Sequence, residues 1–484
     1  MTMRTICCSI MISMFLASSV IPQDLQSPGS KILSQLKIED IKWNIPKIGN
    51  EVRRVILENG MILFIMPDNE LPLLEAYALI RTGEIYEPTE RMAISTMTGA
   101  LMRTGGTKNM TPDSLNSLLE HLSASVETGI DEESGWASLS ALGKDTELGF
   151  KIFADVLMNP AFNEEKLSLL KSQIKEEIKR RNDSPGEITG REFDHLIYGD
   201  HPYGRMLEWA YVKNVNRKDL AEFHKKYFQP NNLMLAVSGD FDSDSIITLI
   251  AHAFSGWQKS PIDYPPIPEL FLGYNPGIFI IDKDISQANI RIGQLGIRRD
   301  NPDRYAVTLM NYILGGGSFT SRLTTTVRSN EGLAYSVGSR FDISSRDYGT
   351  FSAHCQTKNS TAHKAISLML AEIKKIRESP VDTQEFAMAR DAYINQFVFN
   401  FTSPSQIVNQ LMSLEYNRFA VDYYDKHLDN IRAVTIADIQ QVAQKYLQPE
   451  SLTILVVGKP AQFDQPLDDL GQVKMLPLTT PKTD

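Results

Sequence analysis

Apolar positions first crowd together in two blocks, VILENGMILFIMPD and LPLLEAYALIRTGE, separated by the turn residues Pro67, Asp68 and Asn69. Short apolar runs bounded by turn formers read as strands, and these two read as a pair joined by the turn. The spacing then lengthens to that of helices. TPDSLNSLLEHLSA has a helix-starting Thr111 with Pro112 just inside, and NEEKLSLLKSQIKEEIKRRN is long with one charged face. Between them SASVETGIDEESGWASLSAL returns to the strand pattern. The order repeats further on: GIFIIDKD and ANIRIGQLGI as strands, YAVTLMNYIL as a helix, FDISSRDYGTFSAHCQT as strands, and helices from Ala362 onward. Blocks of strands followed by blocks of helices predict an α+β fold with a mixed, mostly antiparallel β-sheet packed with α-helices.

The repetition is literal in one place. At a constant offset of 219 residues, DLAEFHKKYFQPNNLMLAVSG matches DIQQVAQKYLQPESLTILVVG, with identities at Tyr227/Tyr446, Gln229/Gln448, Pro230/Pro449 and Gly239/Gly458 among others. Each copy predicts an amphipathic helix that stops at the Gln-Pro step, then a short strand ending at glycine. Proline can neither continue a helix nor tolerate a helical residue before it. Two similar lobes follow, at 45–260 and 277–460. The proline-rich stretch 261–276, with Pro261, Pro265, Pro266, Pro268 and Pro276, predicts a stiff linker that a protease would cut first, separating the lobes. Residues 461–484 are left as a tail.

Composition narrows the function. A formal net charge of −10 argues against a nucleic-acid or anionic-membrane binder, which needs a basic surface. The first residues, MTMRTICCSIMISMFLASSVIPQ, place Arg4 before an apolar stretch and small residues, so 1–19 reads as a secretory signal peptide and the chain as exported, periplasmic or secreted. The alternative is a frayed apolar N-terminus. No later run has the roughly 18 apolar residues of a spanning helix. Cys7 and Cys8 fall inside the signal, leaving Cys355 without an intramolecular disulfide partner. Its neighbour His354 points to the opposite face of a strand, so Cys355 reads as a buried apolar thiol.

LENGMILFIMPD, HPYGR at His201 to Arg205, the duplicated Tyr-x-Gln-Pro helix end, GGGSFTSRL at Gly315 to Leu323 and VRSNEGLAYSV at Val327 to Val337 occur in an order and spacing that resemble the insulinase/pitrilysin (M16) zinc peptidases. The resemblance covers nearly all of the chain after residue 50. It implies two α+β lobes forming half of a clamshell around a peptide chamber. Active members carry His-x-x-Glu-His on a first-lobe helix, where two histidines one turn apart grip zinc and the glutamate serves as base. Here the corresponding segment, RMAISTMTGALMRTGGTKNMT, has no His, Asp or Glu. Registering the motif on Thr96, Gly99 and Ala100, or on Met97, Ala100 and Leu101, leaves neither ligand nor base. The family's third ligand corresponds to Glu177, a remnant that cannot hold zinc alone and that equally reads as a charge on a solvated helix face. The eight histidines form no pair at metal-ligand helical spacing, and His201 reads as a loop residue.

The second lobe keeps what the first has lost. The resemblance implies that an Arg and a Tyr with six residues between them face a peptide near a partner's zinc, and Arg328 and Tyr335 match them. Guanidinium and phenol are donors suited to a peptide carbonyl and to the oxyanion formed from it. A helix over Phe319 to Asn330, stopping at Gly332, and a strand from Leu333 to Phe341 would hold them. The alternative has Arg328 paired with Glu331 and Tyr335 as surface filler. Gly315 to Gly317 lacks the Lys-Ser/Thr of a phosphate loop. The expected function is therefore that of a noncatalytic subunit of a heteromeric zinc endopeptidase, inactive alone. It would hold peptide or unfolded polypeptide with Arg328 and Tyr335, and zinc would be carried by a homologous partner. The alternative is a structural or peptide-binding module with no proteolytic role.

Overall fold

Two six-stranded sheets carry the chain in the computed structural model, which describes residues 45–270, 276–343 and 346–482. The signal segment 1–19 and part of the linker, 271–275, lie outside the described residues. The first sheet comprises β1 (Arg53–Ile56), β2 (Ile62–Pro67), β3 (Leu73–Ile80), β4 (Ser125–Ile130), β5 (Gly135–Leu142) and β6 (Leu233–Gly239), in the spatial order β1-β2-β6-β3-β5-β4. The second comprises β7 (Gly277–Asp282), β8 (Gln287–Leu295), β9 (Ala334–Phe341), β10 (Thr350–Lys358), β11 (Thr453–Gly458) and β12 (Val473–Met475), in the order β12-β7-β11-β8-β10-β9. The topologies match strand for strand except at one edge. There β1, from before β2, pairs antiparallel with it, and β12, from the tail, runs parallel to β7.

One pairing differs from the sequence reading. The blocks before and after Pro67 are strands, but they do not pair with each other: β6 lies between them, parallel to β2 and antiparallel to β3. β11 takes the same place between β7 and β8. Both are the strands of the repeated segment, buried along nearly their whole length. A strand apolar on both faces is stable only at the centre of a covered sheet, so the duplicated segment outcompetes the sequence-adjacent partner.

The first-lobe helices are α1 (Ile94–Thr104), α2 (Pro112–Leu122), α3 (Thr146–Met158), α4 (Glu164–Arg180), α5 (Pro185–Tyr198), α6 (Arg217–Tyr227) and α7 (Ser243–Ala253). Those encoded after the linker are α8 (Arg304–Asn311), α9 (Ala362–Glu378), α10 (Thr383–Phe397), α11 (Pro404–Tyr416), α12 (Tyr423–Ala433) and α13 (Ile436–Tyr446). The repeated helices α6 and α13 open with matching reciprocal caps, Asn216 with Asp219 and Thr435 with Asp438. Such caps satisfy backbone donors that a helix start leaves unpaired.

Each sheet buries one face under its own helices and the other under a helix encoded in the opposite half. Helix α11 lays Val408, Leu411, Met412 and Leu414 on Phe64, Leu79, Met234 and Ala236 of the first sheet. Helix α5 lays Ile188, Phe193 and Ile197 on Phe279, Ile281, Leu455 and Val457 of the second. The exchange obeys the repeat: Ser184-Pro185 and Ser403-Pro404 stand 219 residues apart. In both, the serine hydroxyl accepts a hydrogen bond from the backbone N–H three residues on, that of Glu187 or Gln406. Fully burying a large apolar side chain contributes roughly 1.5–3 kcal/mol, so each exchanged helix fastens the two lobes by several such side chains.

The linker is not free along its length. The Tyr264 hydroxyl donates to the carbonyl of Arg81 at 2.9 Å and to Oδ1 of Asn232 at 2.7 Å, and its ring packs on Tyr86 and Tyr227. Cys355 is buried, and burial pushes its thiol up to about 12, as befits a packed side chain.

Candidate functional site

Helix α1 occupies the place of the metal-binding helix, and its packing shows which register faces outward. Met97 and Leu101 are sunk in the first core, whereas Thr96 is exposed and Ala100 half-buried. The outward side of the helix therefore carries Thr96 and Ala100, with Gly99 buried beside them. Thr96 donates its hydroxyl to Glu84 at 2.9 Å, and burial pushes the Glu84 carboxyl upward. The start of α1 is held by Glu87, whose carboxylate accepts from the backbone N–H of Ala93 at 3.1 Å and from Ser95 N–H at 2.6 Å. Burial pushes Glu87 up to about 7 even against these bonds.

At Gly99 the helix lies directly on the edge strand. A Cβ there would stand 2.5 Å from the backbone nitrogen of Ile130, and the Thr128 hydroxyl donates to the Gly99 carbonyl at 2.6 Å. No side chain fits at position 99, the base position if the motif is registered on Thr96, Gly99 and Ala100; in the other register the base position is Ala100 and the ligand positions are the buried Met97 and Leu101. Zinc thus fails the test of fit: one face position is threonine, one alanine, and the middle one is sealed by β4. Glu177 sits on α4, which packs beside α1, but it is exposed and makes no ion pair among the described residues. Its neighbour Glu176 pairs with Lys179 at 2.6 Å. Among the described residues no group of three or more His, Cys, Asp or Glu is placed to hold a metal. His201 is buried, and its Nδ1 accepts from the Tyr203 N–H at 3.3 Å, starting the turn of the His-Pro-Tyr-Gly loop.

In the second lobe, the helical segment bearing Arg328 is shorter and wider than its sequence suggests. A single turn covers Ser318–Thr320, and the segment Thr324–Asn330 is wound with i→i+5 bonding, as in Glu331 N–H to the Thr326 carbonyl at 3.3 Å. Such wide turns concentrate at functional sites. Gly332, at φ 64, ends it: its N–H donates to the Arg328 carbonyl at 3.1 Å and that of Leu333 to Val327 at 3.0 Å. Tyr335 follows as the second residue of the edge strand β9 and is 81% exposed. The predicted pair is brought together, with the Arg328 guanidinium 5.4 Å from the Tyr335 ring centroid. Glu331 is engaged by Lys364 instead, and Arg328 has no carboxylate partner among the described residues.

A third member escaped the sequence reading. Phe319, 67% exposed, has its ring centroid 4.9 Å from the same guanidinium. The available signal was an aromatic directly after Gly-Gly-Gly-Ser. The glycine run beside it is explained by packing, since a Cβ on Gly315 would lie 2.3 Å from the backbone nitrogen of Ser339 on β9.

Two sheets of one topology, a ligand-bearing helix emptied of ligands and an Arg/Tyr pair left open on the other lobe define a duplicated, two-lobed peptidase-like protein. The chain belongs to the insulinase (M16) peptidase family: the family's insulinase profile matches residues 76–208 and its M16 inactive-domain profile residues 214–393. It is similar to an uncharacterized zinc protease of Streptomyces coelicolor, at 27% identity over 63% of this chain and 68% of that one. A second uncharacterized zinc protease, of Bacillus subtilis, is 20% identical over 84% of this chain and 98% of that one. Among solved structures, an M16 inactive domain from Pseudomonas fluorescens superposes with a TM-score of 0.76 at 24% identity, covering 84% of this chain and 98% of that one. The periplasmic protease PqqL of Escherichia coli gives 0.72 at 15% identity, covering 90% of this chain but 51% of the other. Among the described residues no helix is long and apolar enough to cross a membrane.

Proposed function

We propose that this chain is the noncatalytic subunit of a heteromeric zinc endopeptidase, holding peptide or unfolded polypeptide with Arg328 and Tyr335 at the metal site of a homologous partner. The observation that carries the reading is an uncommitted guanidinium stacked on an exposed phenol, in a chain whose own metal helix is closed at Gly99. Donors without a reactive group of their own are useful where another chain supplies one. The match to half of the longer Escherichia coli protease is in keeping with a second half provided by a separate subunit.

The zinc, on the partner, would supply the activated water. This chain's part is to bind and orient: Arg328 and Tyr335 donate hydrogen bonds to a peptide carbonyl and to the negative charge that develops on it. The segment 1–19 would direct export, checked by the mass of the mature chain, whose retention of those residues would refute it. The test of the site is turnover by the chain reconstituted with a homologue that retains His-x-x-Glu-His. Tyr335→Phe removes one oxyanion donor and keeps the ring. We expect a loss of about 2.7–4 kcal/mol in the transition state, or roughly a hundred- to thousandfold in rate, with the melting temperature unchanged. Wild-type turnover in both Tyr335→Phe and Arg328→Ala would leave the chain as a structural module.

A further inference from the structure

A large aromatic exposed on a strained turn has to be explained. Phe319 follows Ser318, which adopts φ 53, the left-handed region that a non-glycine residue occupies at a cost. The turn is nonetheless fixed from several sides. The N–H of Gly317 donates to the Tyr312 carbonyl at 2.8 Å, and the Thr320 hydroxyl to the Gly317 carbonyl at 2.9 Å. The buried Ser321 hydroxyl donates to the Ser318 carbonyl at 2.8 Å and lies 3.0 Å from that of Thr324. Strain held in place this firmly is characteristic of segments with a task. What the turn delivers is one ring, against one face of Arg328.

We propose that Phe319 is a positioning residue for Arg328. The guanidinium lies within cation–π distance of two rings, Phe319 at 4.9 Å and Tyr335 at 5.4 Å from their centroids, and among the described residues no carboxylate pairs with it. A free arginine side chain must lose much of its rotamer freedom on gripping a ligand. Held against two rings, it loses part of that freedom before the ligand arrives, and its N–H donors stay available to an acceptor. The inference rests on the reading of Arg328 and Tyr335 as a peptide grip and adds the residue that makes the grip rigid. The chemistry that fits is a planar oxygen acceptor of an extended polypeptide, a main-chain carbonyl above all.

The test is binding of fluorescein-labelled β-casein, an unfolded polypeptide, to the full chain by anisotropy. Four variants are compared: Phe319→Leu, Phe319→Trp, Arg328→Ala and the double variant Phe319→Leu/Arg328→Ala. Phe319→Leu is expected to weaken binding about two- to fivefold, as loss of one exposed cation–π contact would. Phe319→Trp should restore it, which simple apolar filling of the turn would not achieve. The double variant should bind no worse than Arg328→Ala alone, because Phe319 acts through Arg328. If Arg328→Ala weakens binding but Phe319→Leu does not, or if leucine and tryptophan behave alike, Phe319 has no positioning role and the grip stands without it. If wild-type chain and Arg328→Ala bind casein equally, or neither binds, the grip itself is refuted and this inference with it.

Discussion

Gly99 decides more about this chain than the two lost histidine positions beside it. Threonine or alanine could be replaced by histidine on an outward helix face, but a side chain at 99 would meet the backbone of β4 at 2.5 Å. We expect Gly99→Ala to destabilise the chain by about 1–3 kcal/mol in urea unfolding, the usual cost of overpacking a closed contact, despite alanine's better helix propensity. A stability equal to or above wild type would mean that α1 can move off the strand and that the site is less closed than its packing indicates. Asp194, on α5, is a second residue with a measurable signature. Burial pushes its carboxyl up to about 6, with Arg291 pulling the other way. Below about pH 3 the group is protonated whether folded or not, and it adds nothing to the pH dependence of stability. As pH rises toward 6 the unfolded chain ionises while the folded one keeps its proton, so stability is lost across that window. Relative to wild type, Asp194→Asn should therefore gain about 2–3 kcal/mol at pH 7–8 and nothing near pH 3, measured by paired denaturation curves. Because His201 and His354 are shifted down by burial and titrate in both proteins, only the difference between them isolates Asp194.

At the level of elements, the local patterns were legible and the pairings less so. The helix after Thr111 starts as the sequence indicates, with Pro112 first and the threonine hydroxyl accepting from Ser114 N–H at 3.3 Å. The 219-residue repeat foretold two equivalent helix-strand units, and both are present with the same caps. The sequence did not reveal that β6 would insert between β2 and β3, because nearness along the chain favours the hairpin and only the doubly buried character of LMLAVSG argues against it. Nor did it reveal the exchange of α5 and α11, although the Ser-Pro pairs at the same offset were visible; periodicity tells which face of a helix is apolar and not which sheet that face will find. In the site, the Arg328/Tyr335 spacing was readable, while Phe319 depended on a turn whose shape no periodicity encodes. The exchange alters what cleavage of the linker should do. With Tyr264 anchored, cuts are expected after it, toward Pro276. The two fragments should then remain associated on native gel filtration and part only in denaturant, since α5 and α11 still clasp the opposite sheets. Fragments that separate without denaturant would show that the exchanged helices contribute little.

For the molecule as a whole, the two lobes share a scaffold and differ in where each is sealed or open: the first at Gly99 of α1, the second at an exposed Tyr335 beside a half-buried Arg328. The reciprocal helices have a consequence for how such a chain comes into being. On the ribosome, α5 emerges before any strand of the sheet it will cover, and Phe64 and Met234 wait for α11. At about 5–20 residues per second, the stretch from Met234 to Tyr416 takes on the order of 10–40 s to synthesise. Throughout that interval a nearly complete first lobe presents a bare apolar sheet face, and α5 a bare apolar stripe, to everything nearby. Neither half can finish alone, so the nascent chain is a client for holding chaperones until its last helices are made. A truncation before Pro404 would leave a product fated for aggregation or degradation rather than a smaller working domain.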